Sequence, residues 1–107
     1  MKGYQLEFFM EQNTRKAHQA LYEWLVDLAR GQGIAGATVM MGSMGFGHHS
    51  RMHSAHFFDL ADQPVLVTMV VREEEATRLF EILEQEKVSV FYVKMPVEFG
   101  TLGERTV

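Results

Sequence analysis

Cysteine is absent from all 107 residues, which excludes disulfides and thiolate metal sites and fits a reducing cytosol. Positive charge is also scarce: 10 Lys and Arg against 14 Asp and Glu leave a net charge of −4. A nucleic-acid partner is therefore not expected, because binding one needs a basic face. No apolar run approaches the ~20 residues that span a bilayer. The start, Met1-Lys2-Gly3-Tyr4-Gln5-Leu6-Glu7, meets a carboxylate before any signal-like apolar stretch. These absences predict a cytoplasmic protein with no direct membrane insertion. What remains, 47% hydrophobic and 22% charged residues, is the composition of an ordinary globular domain. The length predicts a single domain over 1–107 that buries a core without staples.

The periodicities predict four strands and two helices. Tyr4 to Met10 alternates, with Tyr4, Leu6, Phe8 and Met10 on one face and Gln5 and Glu7 on the other. Asn13 or Thr14 offers an N-cap, and Ala17, Leu21, Trp24, Leu25 and Leu28 then recur at helical spacing from Arg15 to Arg30. Gly31 and Gly33 can end that helix. Ala37 to Ser43 reads as a second strand. Of the two prolines, Pro64 opens a third strand, Val65 to Val71, and Pro96 stops a fourth, Val88 to Met95. Glu73, Glu74 and Glu75 begin the second helix, where acids complement the helix dipole, and Ala76, Leu79, Phe80 and Leu83 form its buried stripe. The order β-α-β-β-α-β predicts an α+β ferredoxin-like sandwich: a four-stranded antiparallel sheet with two helices on one face. The other face, read as carrying Tyr4, Phe8, Phe91 and strand valines, is too apolar to stay wet and predicts self-association.

The connection between the second and third strands, from about Gly45 to Gln63, is far longer than a hairpin needs. Long insertions in small folds tend to carry function. This one packs together Gly45, Phe46, Gly47, His48, His49, Ser50, Arg51, Met52 and His53, and four of the chain's five histidines fall between His48 and His56. Glycines let the backbone approach a ligand. Successive free amides can cradle an anion, and Arg51 can add a bidentate grip on phosphate. Lys94, inside an apolar strand pattern, reads either as a cleft-facing cation or as an edge charge against aggregation. The stretch from His48 to Ser54 looks solvated, and Phe57, Phe58 and Leu60 suggest a returning limb that packs.

Gly3-Tyr4-Gln5-Leu6 opening the first strand, Gly36-Ala37-Thr38-Val39 opening the second, Gly45-Phe46-Gly47 closing it and Ser50-Arg51-Met52-His53 beyond are a set that resembles the PII-like signalling proteins. Within that superfamily of nitrogen-regulatory-like proteins, the chain looks closest to the small PII-like family known as domain of unknown function 190. The resemblance implies a homotrimer with an adenine nucleotide in clefts between subunits. It also implies an effector loop, here 45–63, that reports occupancy to a target such as a membrane transporter or an enzyme. The binding residues it implies are Gly45, Phe46, Gly47, His48, His49, Ser50 and Arg51, with Lys87, Lys94 and Arg105. Where PII proteins carry an Arg-Gln pair after the Gly-Phe-Gly tripeptide, this chain has His48-His49. Where they carry a glycine-rich, lysine-containing loop after the second helix, it has Gln85-Glu86-Lys87-Val88. A triphosphate clamp is thereby weakened, so AMP or ADP is favoured over ATP. The loop has no tyrosine to be uridylylated.

Two other readings compete. His48, His49, His53 and His56 could set two or three imidazoles around Zn²⁺, Ni²⁺ or Cu²⁺, which makes a metal-binding or metal-tolerance module the alternative. Yet no cysteine assists, the acids Asp59 and Asp62 lie outside the cluster, and the spacing matches no specific metal motif. A hydrolase would need an oriented nucleophile and base, and Ser50 near His49 and His53 lacks the third group that orients a triad. The chain is thus read as a non-enzymatic sensor that requires no cofactor.

Overall fold

The computed structural model of the chain describes residues 1–46, 52–54 and 63–103. Its elements are β1 (Lys2–Glu11), β2 (Arg15–Lys16), β3 (Gln19–Ala20), α1 (Leu21–Gly31), β4 (Thr38–Met41), β5 (Met44–Phe46), β6 (Met52–Ser54), β7 (Pro64–Arg72), α2 (Glu73–Gln85) and β8 (Phe91–Glu98). The main sheet has the order β4-β7-β1-β8, and every neighbouring pair in it is antiparallel. Strands β4 and β8 are its edges. This is the expected ferredoxin-like sandwich.

Register divides the sheet's residues between two faces. Residues directly opposite across a ladder share a face, so Tyr4, Leu6, Phe8 and Met10 lie with Val71, Met69, Val67 and Val65. Leu6, Phe8, Val65, Val67, Met69 and Val71 are buried there against Leu25 and Ala29 of α1 and Ala76, Leu79 and Leu83 of α2. Phe8 is fully buried, whereas its neighbour Phe9 is 40% exposed. Tyr4 and Phe8 thus belong to the helix-covered core, not to the open face to which the sequence reading assigned them. The open face carries Phe9, Met40, Val70, Phe91 and Met95, all exposed. Apolar side chains do cover it, but they are the opposite parity of β1.

The first helix starts later than its periodicity predicts. Residues 15–20 form the β2–β3 hairpin, with Ala17 at φ 57° in its turn, and the Leu21 amide donates to the Thr14 carbonyl at 2.7 Å. Ala17 therefore sits exposed at the turn rather than in a buried stripe. At the other end Gly33, at φ 80°, follows the last turn. The Ile34 amide donates to the Ala29 carbonyl and the Gly33 amide to the Arg30 carbonyl, the pair of bonds that defines a Schellman end.

Helix α2 begins with a charged cap. The Arg72 amide donates to Glu75 Oε1 at 2.8 Å and its guanidinium Nη2 to Glu75 Oε2 at 3.2 Å. Burial pushes the Glu75 carboxyl up, but the bonds from Arg72 and the charges of Arg72 and Arg78 outweigh it and hold the carboxyl below its usual range. A carboxyl depressed in the folded state stabilises the fold above its unfolded value and loses that contribution as pH falls through the lower folded value. Glu75→Gln is expected to destabilise the protein in urea at pH 7, with the gap to wild type closing as pH falls below the usual carboxyl range.

The last strand begins and ends later than the sequence reading has it, since it runs through Pro96, opposite Tyr4, to Glu98. On an edge strand alternate amides point away from the sheet, so a proline costs no ladder bond there. The Phe99 amide donates to the Met1 carbonyl and the Met1 ammonium to the Phe99 carbonyl, both at 2.8 Å. These bonds continue the ladder beyond β8.

Candidate functional site

The second strand does not run unbroken to Ser43. It stops at Met41; Gly42 and Ser43 follow, and β5 then leaves the main sheet to pair with β6. The Gly42 amide donates to the Pro64 carbonyl at 2.7 Å. A Cβ on Gly42 would sit 3.2 Å from the Pro64 Cβ, so a larger residue would press on the start of β7. The β5–β6 ribbon is antiparallel, with Met44 opposite Ser54, Gly45 opposite His53 and Phe46 opposite Met52. The expected solvated stretch 48–54 thus ends in a strand. The long connection is partly built as a two-stranded arm attached beside β4.

Of the candidate binding residues, Gly45 and Phe46 lie on that arm. Gly47, His48, His49, Ser50, Arg51 and Arg105 lie outside the described residues, as do His56, Phe57, Phe58 and Leu60. His53 is in β6, opposite Gly45. Among the described residues no three His, Asp or Glu side chains gather as a metal site.

The two lysines are placed in full. Lys87 is exposed just after α2 and takes φ 56°. Its amide donates to the Glu84 carbonyl and the Val88 amide to the Leu83 carbonyl, so a lysine stands where a Schellman end normally has glycine. The glycine-free turn is compact all the same. Beside it Lys16 Nζ donates to the Glu86 carbonyl and lies 3.2 Å from Glu86 Oε1. That cation at the end of α2 was not singled out in the sequence, and helix-end electrostatics account for it.

Lys94 lies on edge strand β8, opposite Leu6 and hence on the helix side of the sheet. Its ammonium is 4.3 Å from the Tyr4 ring centroid and 5.5 Å from that of Phe80. Phe80 in turn meets Tyr92 edge-on at 4.9 Å. The lysine therefore tops a cluster of aromatic rings, a favourable contact for a cation. Register parity was the signal in the sequence that could have found this cluster, once β8 was known to pair with β1.

Lys94 and the glycine arm are on opposite edges of the sheet. The arm grows from β4, Lys94 stands on β8, and β7 and β1 lie between. Three inter-strand spacings amount to roughly 14 Å. Two shallow hollows flank α1, of about 270 Å³ and 250 Å³. Neither is lined by any of the candidate residues. Within one copy of the chain, the candidate residues make no common pocket among the described residues.

The family model termed DUF190, described as an uncharacterized conserved family, matches residues 3–98. The chain belongs to the DUF190 family. As a DUF190 protein it has the PII-like fold. It is similar to CPII, a nitrogen regulatory PII-like protein from Thiomonas intermedia K12 solved bound to ADP, AMP and bicarbonate. That match has 23% identity and a TM-score of 0.70, covering 94% of this chain and 91% of the other. A second CPII structure, bound to ADP and bicarbonate, matches at 25% identity and a TM-score of 0.67, covering 94% and 91%. A PII-like signaling protein from Thermus thermophilus matches at 21% identity and a TM-score of 0.66, covering 91% and 88%. In this DUF190 chain no described helix is long and apolar enough to cross a membrane.

Proposed function

We propose that this DUF190 protein is a cytoplasmic, non-enzymatic sensor. It acts as a homotrimer that takes an adenine nucleotide, AMP or ADP before ATP, in clefts between subunits. The 45–63 loop then signals occupancy to a partner, a transporter or an enzyme. The observation that carries this reading is the separation of the candidate residues. The glycine arm and Lys94 occupy opposite edges of one sheet, and copies packed side by side around an axis would bring the arm of one towards the lysine of another. An intersubunit cleft is the arrangement that unites them. The ligands of CPII, ADP and AMP, are the chemistry such a cleft would receive. Phosphate would be held by the amides from Gly45 to His49 and by Arg51, with Lys87, Lys94 and Arg105 adding charge.

Titration calorimetry with AMP, ADP, ATP and cyclic nucleotides on metal-free protein tests this. Arg51→Ala is expected to weaken nucleotide binding by about 1.5–3 kcal/mol, the worth of a charged hydrogen bond, and Gly47→Val to obstruct the backbone approach. The metal-binding alternative predicts the reverse: His49 and His53 replacements abolish binding of a divalent ion such as Zn²⁺ or Cu²⁺, while Arg51→Ala does little. Nucleotide affinities that ignore Arg51→Ala, with those histidines essential for metal, would replace the sensor reading by the metal one.

A further inference from the structure

The open face of the sheet has a definite pattern across its strands. One row of directly opposed residues is apolar on all four: Met40, Leu66, Phe9 and Phe91, with the Phe9 and Phe91 rings 5.7 Å apart. The next row is Thr38, Thr68, Glu7 and Val93, and the one after it Val70, Gln5 and Met95. Glu7 is thus an anion set inside a largely apolar surface, on a central strand. Its described contact is a hydrogen bond from Gln5 Nε2 at 3.3 Å.

The groups facing Glu7 from the neighbouring strands are Thr68 on β7 and Val93 on β8, and its diagonal neighbours are Leu66, Val70, Phe91 and Met95. None of them titrates or carries charge. The other charged residues of this parity on β1 and β7, Glu11 and Arg72, lie at the ends of the strands. Arg72 already engages Glu74 at 3.4 Å and Glu75 at 3.2 Å. The face therefore offers Glu7 hydrogen-bond donors, in Gln5 and Thr68, but, among the described residues, no cation in its interior.

A second copy of the chain is the occupant this pattern fits. Donors and an acceptor sit side by side on one surface, so the surface is complementary to itself in hydrogen bonding, and the row of Met40, Leu66, Phe9 and Phe91 is apolar enough to drive association. We infer that burial of Glu7 between copies of this face couples assembly to proton uptake, so that the oligomer tightens as pH falls. The inference rests on the trimer of the proposed function and adds a control to it. Removing a carboxylate from water without a countercharge favours its neutral form. The assembled state then binds more protons than the separated chains, and linkage requires assembly to strengthen with acidity. Protonated, the carboxyl becomes a donor as well as an acceptor and can bond to its equivalent or to the Gln5 amide of a neighbouring copy.

Sedimentation velocity over a dilution series, at pH 7.5 and pH 5, with circular dichroism to establish that the fold persists, reads this out. The wild type is expected to dissociate at least about tenfold less readily at pH 5 than at pH 7.5, since an upward shift of one unit gives about threefold per carboxyl at that pH and a trimer buries three. Glu7→Gln, neutral at every pH, is expected to assemble at pH 7.5 as tightly as the wild type does at pH 5. It should also lose the part of the pH response that histidines elsewhere do not supply. Glu7→Gln that assembles more weakly than wild type, or that keeps the whole pH response, overturns the inference while leaving the trimer intact. A wild type that stays monomeric at both pH values overturns the trimer itself and the inference with it.

Discussion

Phe8→Ala is expected to cost about 3–5 kcal/mol of folding stability, whereas Phe9→Lys, one residue along, should leave the fold in place and break the proposed association of copies. Phe8 has no exposed surface and meets Phe80 at 6.0 Å between ring centroids. Truncation there removes most of an aromatic ring from a packed core and leaves a cavity between β1 and α2. Phe9 is on the other face of the same strand, against the ring of Phe91, which is itself 69% exposed. A lysine at this position keeps an aliphatic stem over Phe91 and puts a charge on the apolar row. Urea denaturation of dilute protein measures the first effect. Sedimentation at micromolar concentration measures the second, with a loss of association of about a hundredfold or more if this face joins the copies. If Phe8→Ala were tolerated and Phe9→Lys unfolded the chain, the division of the sheet into a core face and an open face would be wrong.

Gly3→Ala is the second large effect. A Cβ at Gly3 would overlap the carbonyl oxygen of Val71 and lie 2.9 Å from Phe99 Cε1. Val71 is on the neighbouring strand β7, one residue from the Arg72 that faces Gly3, and Phe99 is tied to Met1 by two hydrogen bonds. The obstruction is backbone, which cannot rotate aside as a side chain can. Relief would require β1 to draw away from β7 at the end where α2 begins. Overpacking of this kind costs about 3 kcal/mol. Thermal and urea midpoints should both fall, while the slope of the urea transition, which follows the area exposed on unfolding, stays unchanged. Gly3→Ala with wild-type stability would show that the two strands are less closely apposed at this point.

Much of this architecture was legible in the residues. Alternation in Tyr4 to Met10, the helical stripe of Ala76, Leu79 and Leu83, and the acids of Glu73 to Glu75 are local signals, and each follows from the geometry of a single element. Gly33 also behaved as read, because a helix end needs a left-handed residue whatever lies around it. The late start of α1 was not legible. Ala17 keeps the helical spacing, but the Thr14 carbonyl is taken by the Leu21 amide, and hairpin and helix compete for the same six residues. Pro96 misled for a related reason: a proline ends a central strand but not an edge strand, and only the strand order β4-β7-β1-β8 makes β8 an edge.

The candidate site divides in the same way. The residue types around Gly45 to Arg51 announced a loop able to meet phosphate, since glycine amides and a guanidinium have that capacity wherever they stand. Their spatial relation to Lys94 was not in the sequence. By itself the chain determined its four main strands and two helices, the alternation within each strand and the chemistry of its long loop, because these depend on neighbours a few positions away. Tertiary structure alone decided that Phe8 is core and Phe9 surface, that Glu7 stands among apolar side chains, and that the arm and Lys94 are on opposite edges. Each of those depends on which strands pair and which face the helices cover, contacts between residues tens of positions apart that no local pattern records.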